Sequence, residues 1–107
     1  IGDEVLVTLA QLVESVLRES DVHARYGGEE FAVILPAAGM AEALRVMEKL
    51  REVVEGFEWH VLAEGLAVTI SAGVAEILPD EAATPLLNRA DGMLYEAKRG
   101  GRNRVHG

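Results

Sequence analysis

The chain has 107 residues, half of them hydrophobic, which supplies material for one compact core and leaves none for a second. It contains no cysteine, so disulfides and thiolate metal sites are excluded, and a reducing compartment suits it without being required. A formal net charge of -8 argues against a nucleic-acid groove, because binding a phosphate backbone needs a basic surface.

From the N-terminus, Asp3 is placed to cap a helix, and Val5, Leu6, Leu9, Leu12, Val13, Val16 and Leu17 recur at helical spacing. This predicts an amphipathic helix over residues 4–19. Asp21-Val22-His23-Ala24-Arg25 then alternates as a strand does, and Phe31-Ala32-Val33-Ile34-Leu35 is a short apolar run ended by Pro36. Together they predict a β-hairpin. Gly27-Gly28 at its tip suits positive φ and leaves room for a bulky ligand against the backbone. Glu29 and Glu30 follow at the mouth, two adjacent carboxylates of the kind that hold a divalent metal; a plain solvated turn would use the same residues.

A second helix is predicted from Met40 to Glu55, with Ala41, Leu44, Met47, Leu50, Val53 and Val54 on its apolar side and Gly56 closing it. Residues 57–75 read as two strands around Glu64-Gly65. The second, Ala67 to Ala75, sets Val68, Ile70, Ala72 and Val74 on one face and Thr69, Ser71 and Gly73 on the other. After a loop at Asp80 to Pro85, Thr84 is placed to cap a third helix, Leu86 to Arg99, with Pro85 at its first position. Gly100-Gly101 stops that helix, and Asn103 to His106 can add a short edge strand.

Lys98, Arg99, Arg102 and Arg104 put four positive charges into seven residues of an otherwise acidic chain. Such a cluster suits a metal-bound polyphosphate, and basic residues also favour helix C-termini, where Lys98 and Arg99 fall. His23, His60 and His106 have no metal-ligand spacing, and Trp59 reads as a core or edge residue. The element order implies an α/β sandwich, that is an α+β fold with a mostly antiparallel sheet flanked by helices, one strand short at the front. No apolar stretch approaches the length of a membrane-spanning helix and no leader opens the chain, so a cytoplasmic protein without direct membrane insertion is expected.

The stretch Arg25-Tyr26-Gly27-Gly28-Glu29-Glu30-Phe31 resembles the signature of the GGDEF family, the diguanylate cyclases, in its GGEEF form, and the likeness covers essentially all 107 residues. The resemblance implies a palm-like fold shared with class III nucleotide cyclases and many polymerases. Residues 1–107 would form a single domain whose central first strand precedes Ile1, making the chain N-terminally incomplete. The family reaction is condensation of two GTP molecules into cyclic di-GMP with release of two pyrophosphates. It is run by a homodimer in which each protomer holds one GTP, under an upstream sensory or receiver module.

Position by position, the resemblance implies that Glu29 is a metal ligand. With an aspartate on the first strand it would hold two Mg2+ or Mn2+ ions against the GTP phosphates. Glu30 would support the metal site or the substrate, and Gly27 and Gly28 would admit the nucleotide. Asp3 would accept hydrogen bonds from the guanine N1 and N2 edge, a role compatible with its helix-cap reading. Lys98 and Arg102 would grip the β and γ phosphates.

Arg18 and Asp21, spaced Arg-x-x-Asp, match the family's inhibitory site for cyclic di-GMP; such a pair is otherwise ordinary solvated surface. Lys49 stands where some members supply a secondary arginine, keeping the charge and losing the planar fork. The resemblance leaves two readings: an active cyclase with product inhibition, or a catalytically silent receptor that binds cyclic di-GMP through Arg18 and Asp21. On either reading the 107 residues alone are expected not to catalyse the reaction.

Overall fold

The computed structural model describes residues 2–27 and 30–107, with side chains at all of these except 25–27, 30 and 83. The first helix, α1, runs Asp3–Val16. Its N-cap is Gly2, in extended conformation, so Asp3 is the first helical residue and makes no side-chain cap bond. Asp3 and Glu4 still stand in the first turn, where carboxylates favour the exposed N–H groups. The predicted cap is therefore displaced by one residue. At the other end Leu17 is extended, and the chain turns through Arg18 to Asp21 three residues earlier than periodicity suggested.

The hairpin forms as predicted, from β1 (Val22–Gly27) and β2 (Glu30–Ile34), which pair antiparallel in the register Val22 to Ile34, Arg25 to Phe31 and Gly27 to Glu30. An irregularity between Arg25 and Gly27 breaks the ladder just before the tip. Phe31 and Val33 pack on the core, while Val22 and Ile34, paired across the strands, are exposed on the opposite face. Gly28 and Glu29 lie outside the described residues.

Helix α2 runs Met40–Gly56, one residue beyond the predicted end, and closes on an extended Phe57. Its first backbone N–H, Met40, donates to a Glu76 carboxylate oxygen at 3.1 Å, an anion set against a helix N-terminus. The core is the seam between α1 and α2. Val5, Leu9 and Val13, one face at four-residue spacing, meet Leu50 and Val54, and Trp59 closes the end. Full burial of each such side chain contributes about 1.5–3 kcal/mol.

The first of the two strands expected in residues 57–75 is absent. Trp59–Val61 instead forms a short 3-10 turn, and Trp59 is only 2% exposed. Its Nε1 donates to the Val54 carbonyl at 2.7 Å, and its ring lies 4.7 Å from that of Phe57. A buried indole with its one donor satisfied anchors the chain locally, and a strand through the same residues would give up both interactions. The turn at Glu64-Gly65 is real, with Gly65 at φ 76. Residues 67–71 keep the predicted alternation, with Val68 and Ile70 against the core and Thr69 exposed. Among the described residues they have no ladder partner, so the strand β3 is only Ala72–Gly73.

Helix α3 runs Ala83–Arg99, with Ala82 as N-cap and no side-chain cap bond. Thr84 and Pro85 are therefore its second and third residues rather than cap and first. Proline is accepted there because N–H groups of the first turn have no intrahelical partner. The last strand, β4 (Val105–His106), pairs parallel with β3, so the described residues form two small sheets, one antiparallel and one parallel. The class is mixed helix and sheet, as the element order implied.

Strand β3 and helix α3 approach unusually closely. A Cβ at Gly73 would overlap the Ala90 carbonyl oxygen and the Leu94 backbone nitrogen and Cα, none of which can swing aside as a flexible side chain does. Gly73→Ala is therefore expected to lower stability by about 1–3 kcal/mol. Thermal or denaturant unfolding beside Gly56→Ala, a position with nothing near a new Cβ, measures the difference.

Candidate functional site

Of the two sequence-predicted acids of the hairpin, only the Glu30 backbone is described. Glu30 opens β2 opposite Gly27, and its side chain, like Gly28 and Glu29 altogether, lies outside what is described. Among the described residues no group of three or more histidines, aspartates or glutamates could hold a metal ion. The described residues thus supply no metal centre of their own.

Asp3, at the head of α1, lines an open hollow of about 390 Å3 with Val5, Leu62, Ala63 and Leu66. The hollow exists because the chain after Trp59 folds back under the start of α1. Its walls are mainly apolar, and Asp3 and Glu4 supply carboxylates at the rim. That combination suits a flat, partly apolar ring bearing hydrogen-bond donors.

Lys98 and Arg102 stand at the far end of α3. Lys98 is in the last turn; Arg102 follows the glycine pair, exposed and at φ 64. The hook that carries them is closed by the Arg102 N–H on the Ala97 carbonyl at 3.0 Å and the Gly101 N–H on Lys98 at 3.3 Å. Arg104, one of the four basic residues of the cluster, is turned to another use. It covers Gly100 and Gly101 so closely that a Cβ on either would meet its guanidinium, and its Nε donates to the Arg102 carbonyl. No residue of this hook lines the Asp3 hollow.

Arg18 and Asp21 are brought together. The Arg18 Nη2 lies 3.0 Å from one Asp21 oxygen, the Arg18 backbone N–H donates to the other at 2.7 Å, and Nη2 also donates to the Pro36 carbonyl at 2.8 Å. The pair therefore ties the end of α1 to both ends of the hairpin. Asp21 is 2% exposed at its side chain against 50% for Arg18. It borders an open hollow of about 350 Å3 whose walls include Glu14, Leu17, Glu19 and His23. The Arg18 side-chain hydrogen bond holds the Asp21 carboxyl below its ordinary range against the opposing effect of burial. Asp21, and more weakly Glu42 from α2, raises the Arg18 pKa in turn. Lys49 is exposed on α2 and does not line this hollow.

Sequence reading missed Arg51 and Asn103. Arg51, 17% exposed at its side chain, binds Glu48 and Glu55 on its own helix and reaches Asn103 in the hook. The i,i+3 and i,i+4 acids around Arg51 were a visible signal; a partner 52 residues away was not.

Asp21 has a depressed pKa, so its contribution to stability is complete above the ordinary value of 3.8 and disappears as pH falls through the lowered one. Asp21→Asn should therefore melt at a lower temperature than the parent at pH 7, with the gap closing below about pH 4. A series of thermal melts from pH 7 to pH 2 measures it.

The family model for the diguanylate cyclase GGDEF domain matches residues 1–104. Diguanylate cyclase DgcP of Pseudomonas aeruginosa is 40% identical over 104 residues, which are 97% of this chain and 16% of the relative. Response regulator PleD of Caulobacter vibrioides is 48% identical over 111 residues, covering 100% of this chain and 24% of its own. The chain thus spans a quarter or less of these curated relatives. Among solved structures, the GGDEF domain of DgcB from Caulobacter crescentus, in complex with cyclic di-GMP, superposes with a TM-score of 0.88 at 36% identity. That match covers 97% of this chain and 63% of the other.

Proposed function

The chain belongs to the GGDEF-domain family of diguanylate cyclases, and from that premise we propose that it is the catalytic domain of an enzyme condensing two GTP into cyclic di-GMP. The observation that carries this reading is the unbroken Gly27-Gly28-Glu29-Glu30-Phe31 sequence, whose described residues Gly27, Glu30 and Phe31 belong to an antiparallel strand pair, within a family match that runs almost the length of the chain. On this reading residues 1–107 are one domain, and an upstream receiver or other sensory module is favoured by likeness to a relative named a response regulator.

The roles assigned to the residues follow their chemistry. Asp3 accepts from the guanine N1 and N2 donors, with the apolar wall of its hollow against the ring. Gly27 and Gly28 leave the hairpin backbone open to the nucleotide. Lys98 and Arg102 hold the β and γ phosphates by charge-assisted hydrogen bonds, and the guanidinium adds a planar fork that a lysine lacks. Glu29 holds the divalent metal, Mg2+ or Mn2+, and Glu30 supports that site or the substrate. The metal, when bound, neutralises charge that develops on the phosphates.

Each protomer presents one nucleotide, and two protomers face each other so that the 3'-hydroxyl of one GTP lies in line with the α-phosphate of the other. The protein's part is to orient the two nucleotides and hold the departing pyrophosphate through Lys98 and Arg102. A facing homodimer is thereby required during turnover.

Arg18 and Asp21 form the proposed inhibitory site for the product, supported by the hollow they border and by cyclic di-GMP bound to the DgcB domain. Their present pairing means that an incoming guanine or phosphate has to compete with Asp21 for the Arg18 guanidinium. Lys49 would contribute charge only from outside that hollow.

Incubating the full-length protein with GTP and Mg2+ should yield cyclic di-GMP. Glu29→Gln should reduce the rate by at least a thousandfold with its melting temperature unchanged, and retained activity would remove Glu29 from the metal site. Absence of product from a protein that still binds cyclic di-GMP would instead identify a receptor. For the regulatory site, Arg18→Ala is expected to raise the cyclic di-GMP concentration needed for half-inhibition by tenfold or more without lowering the initial rate. Unchanged inhibition would refute the role given to Arg18.

A further inference from the structure

The hook after α3 is made of residues in unfavourable conformations. Gly101 at φ 123 is permissible for glycine, whereas Arg102 at φ 64 and Asn103 at φ 45 are consecutive side-chain-bearing residues in the left-handed region. Such a conformation is unfavourable for a residue with a Cβ, less so for asparagine than for arginine. The hook is anchored at one end by the α3 C-terminus and at the other by β4. There the Ala72 N–H donates to the Arg104 carbonyl and the Val74 N–H to the His106 carbonyl.

Its middle is held by side chains of α2. The Arg51 Nη1 donates to the Asn103 Oδ1 at 3.1 Å, and the Asn103 Nδ2 donates to the Glu55 Oε2 at 2.6 Å. Arg51 Nη1 donates to Glu55 Oε1 at 3.2 Å as well, closing a three-membered ring of bonds. The amide orientation is fixed by its neighbours, since the opposite one would set donor against guanidinium and acceptor against carboxylate. Glu48 holds Arg51 from the other side through Nε and Nη2, so the guanidinium has little freedom to leave Asn103. The Glu48 hydrogen bond is also the main reason that the Arg51 pKa is raised.

We infer that Arg51, Glu55 and Asn103 form a clamp that positions Arg102 for the triphosphate, making the outer edge of α2 a determinant of the preference for GTP over GMP. The inference rests on the role proposed above for Arg102. Asn103 and Arg102 are neighbours in a two-residue left-handed step, so displacing one rotates the backbone from which the other projects. The clamp bears on the phosphate end of the nucleotide alone, because none of its residues lines the hollow at Asp3. Arg51, Glu55 and Asn103 are positioning residues under this assignment.

The test is equilibrium binding of GTP and of GMP, with Mg2+ present, to the full-length protein and to Asn103→Gly, Arg51→Met, Arg102→Ala and the double variant Arg102→Ala/Asn103→Gly. Asn103→Gly keeps the left-handed backbone accessible while removing the amide, so it separates the clamp from the φ requirement. Expected are a roughly tenfold loss of GTP affinity in Asn103→Gly and in Arg51→Met, with GMP affinity unchanged. In the Arg102→Ala background the Asn103 change should cause no further loss, as a device acting through Arg102 requires. Equal weakening of GTP and GMP, full GTP affinity in Asn103→Gly, or additive losses in the double variant would each overturn the clamp. A parent protein that binds GTP no better than GMP, or an Arg102→Ala variant with full GTP affinity, would instead overturn the phosphate role of Arg102, and the clamp with it.

Discussion

The packing of α1 on α2 is the contact from which the rest of the arrangement follows. Val5, Leu9 and Val13 lie along one face of α1, Leu50 and Val54 face them from α2, and the Trp59 ring closes the end with its N–H on the Val54 carbonyl. Because an apolar seam is rigid at native packing density, it sets where both ends of each helix must be. The head of α1 delivers Asp3 against Leu62 and Leu66, and its tail delivers Arg18 and Asp21 to the base of the hairpin. The last turns of α2 deliver Arg51 and Glu55 to the hook that follows α3. All three locations draw on one small cluster, so a loosened core would disturb all of them together.

Charge is deployed unevenly on this acidic chain. Arg18, Arg51, Arg89 and Arg104 each spend their planar donors on structure. Arg18 joins the end of α1 to the hairpin, and Arg51 joins α2 to the hook. Arg89 secures the loop before α3 through Glu81 and the Glu76 carbonyl, and Arg104 covers the glycine pair. For Arg18, Arg51 and Arg89 multidentate geometry explains the choice of arginine, since each satisfies two or more acceptors in fixed directions. The Asp21 and Glu81 carboxyls that receive such bonds are held below their usual pKa by the arginine hydrogen bonds. Arg102 is placed differently, exposed at the tip of a strained turn whose conformation is imposed from α2. An exposed guanidinium carried on a held backbone is suited to gripping an anion that arrives from solution.

What could be read from the chain alone was whatever depends on near neighbours in sequence. Apolar residues at three- and four-residue spacing marked α1 and α2, start and stop residues marked α3, and an alternating run and a short apolar run on either side of two glycines marked β1 and β2, because such signals are properties of a single element. The Gly27-Gly28-Glu29-Glu30-Phe31 segment identified the family for the same reason: its residues are contiguous. Tertiary partners decided the rest. Residues 67–71 alternate as a strand does and pair with nothing described, while Trp59 became the lid of the core, because a ladder and a buried indole each need a distant partner. Gly73 is required by the backbone of α3 seventeen to twenty-one residues on, and the Asn103 amide by two side chains of α2 about fifty residues earlier. Local spacing sets which elements form and what chemistry they carry, whereas contacts across tens of residues set how that chemistry is aimed, since their energies exist only once the core has brought the partners together.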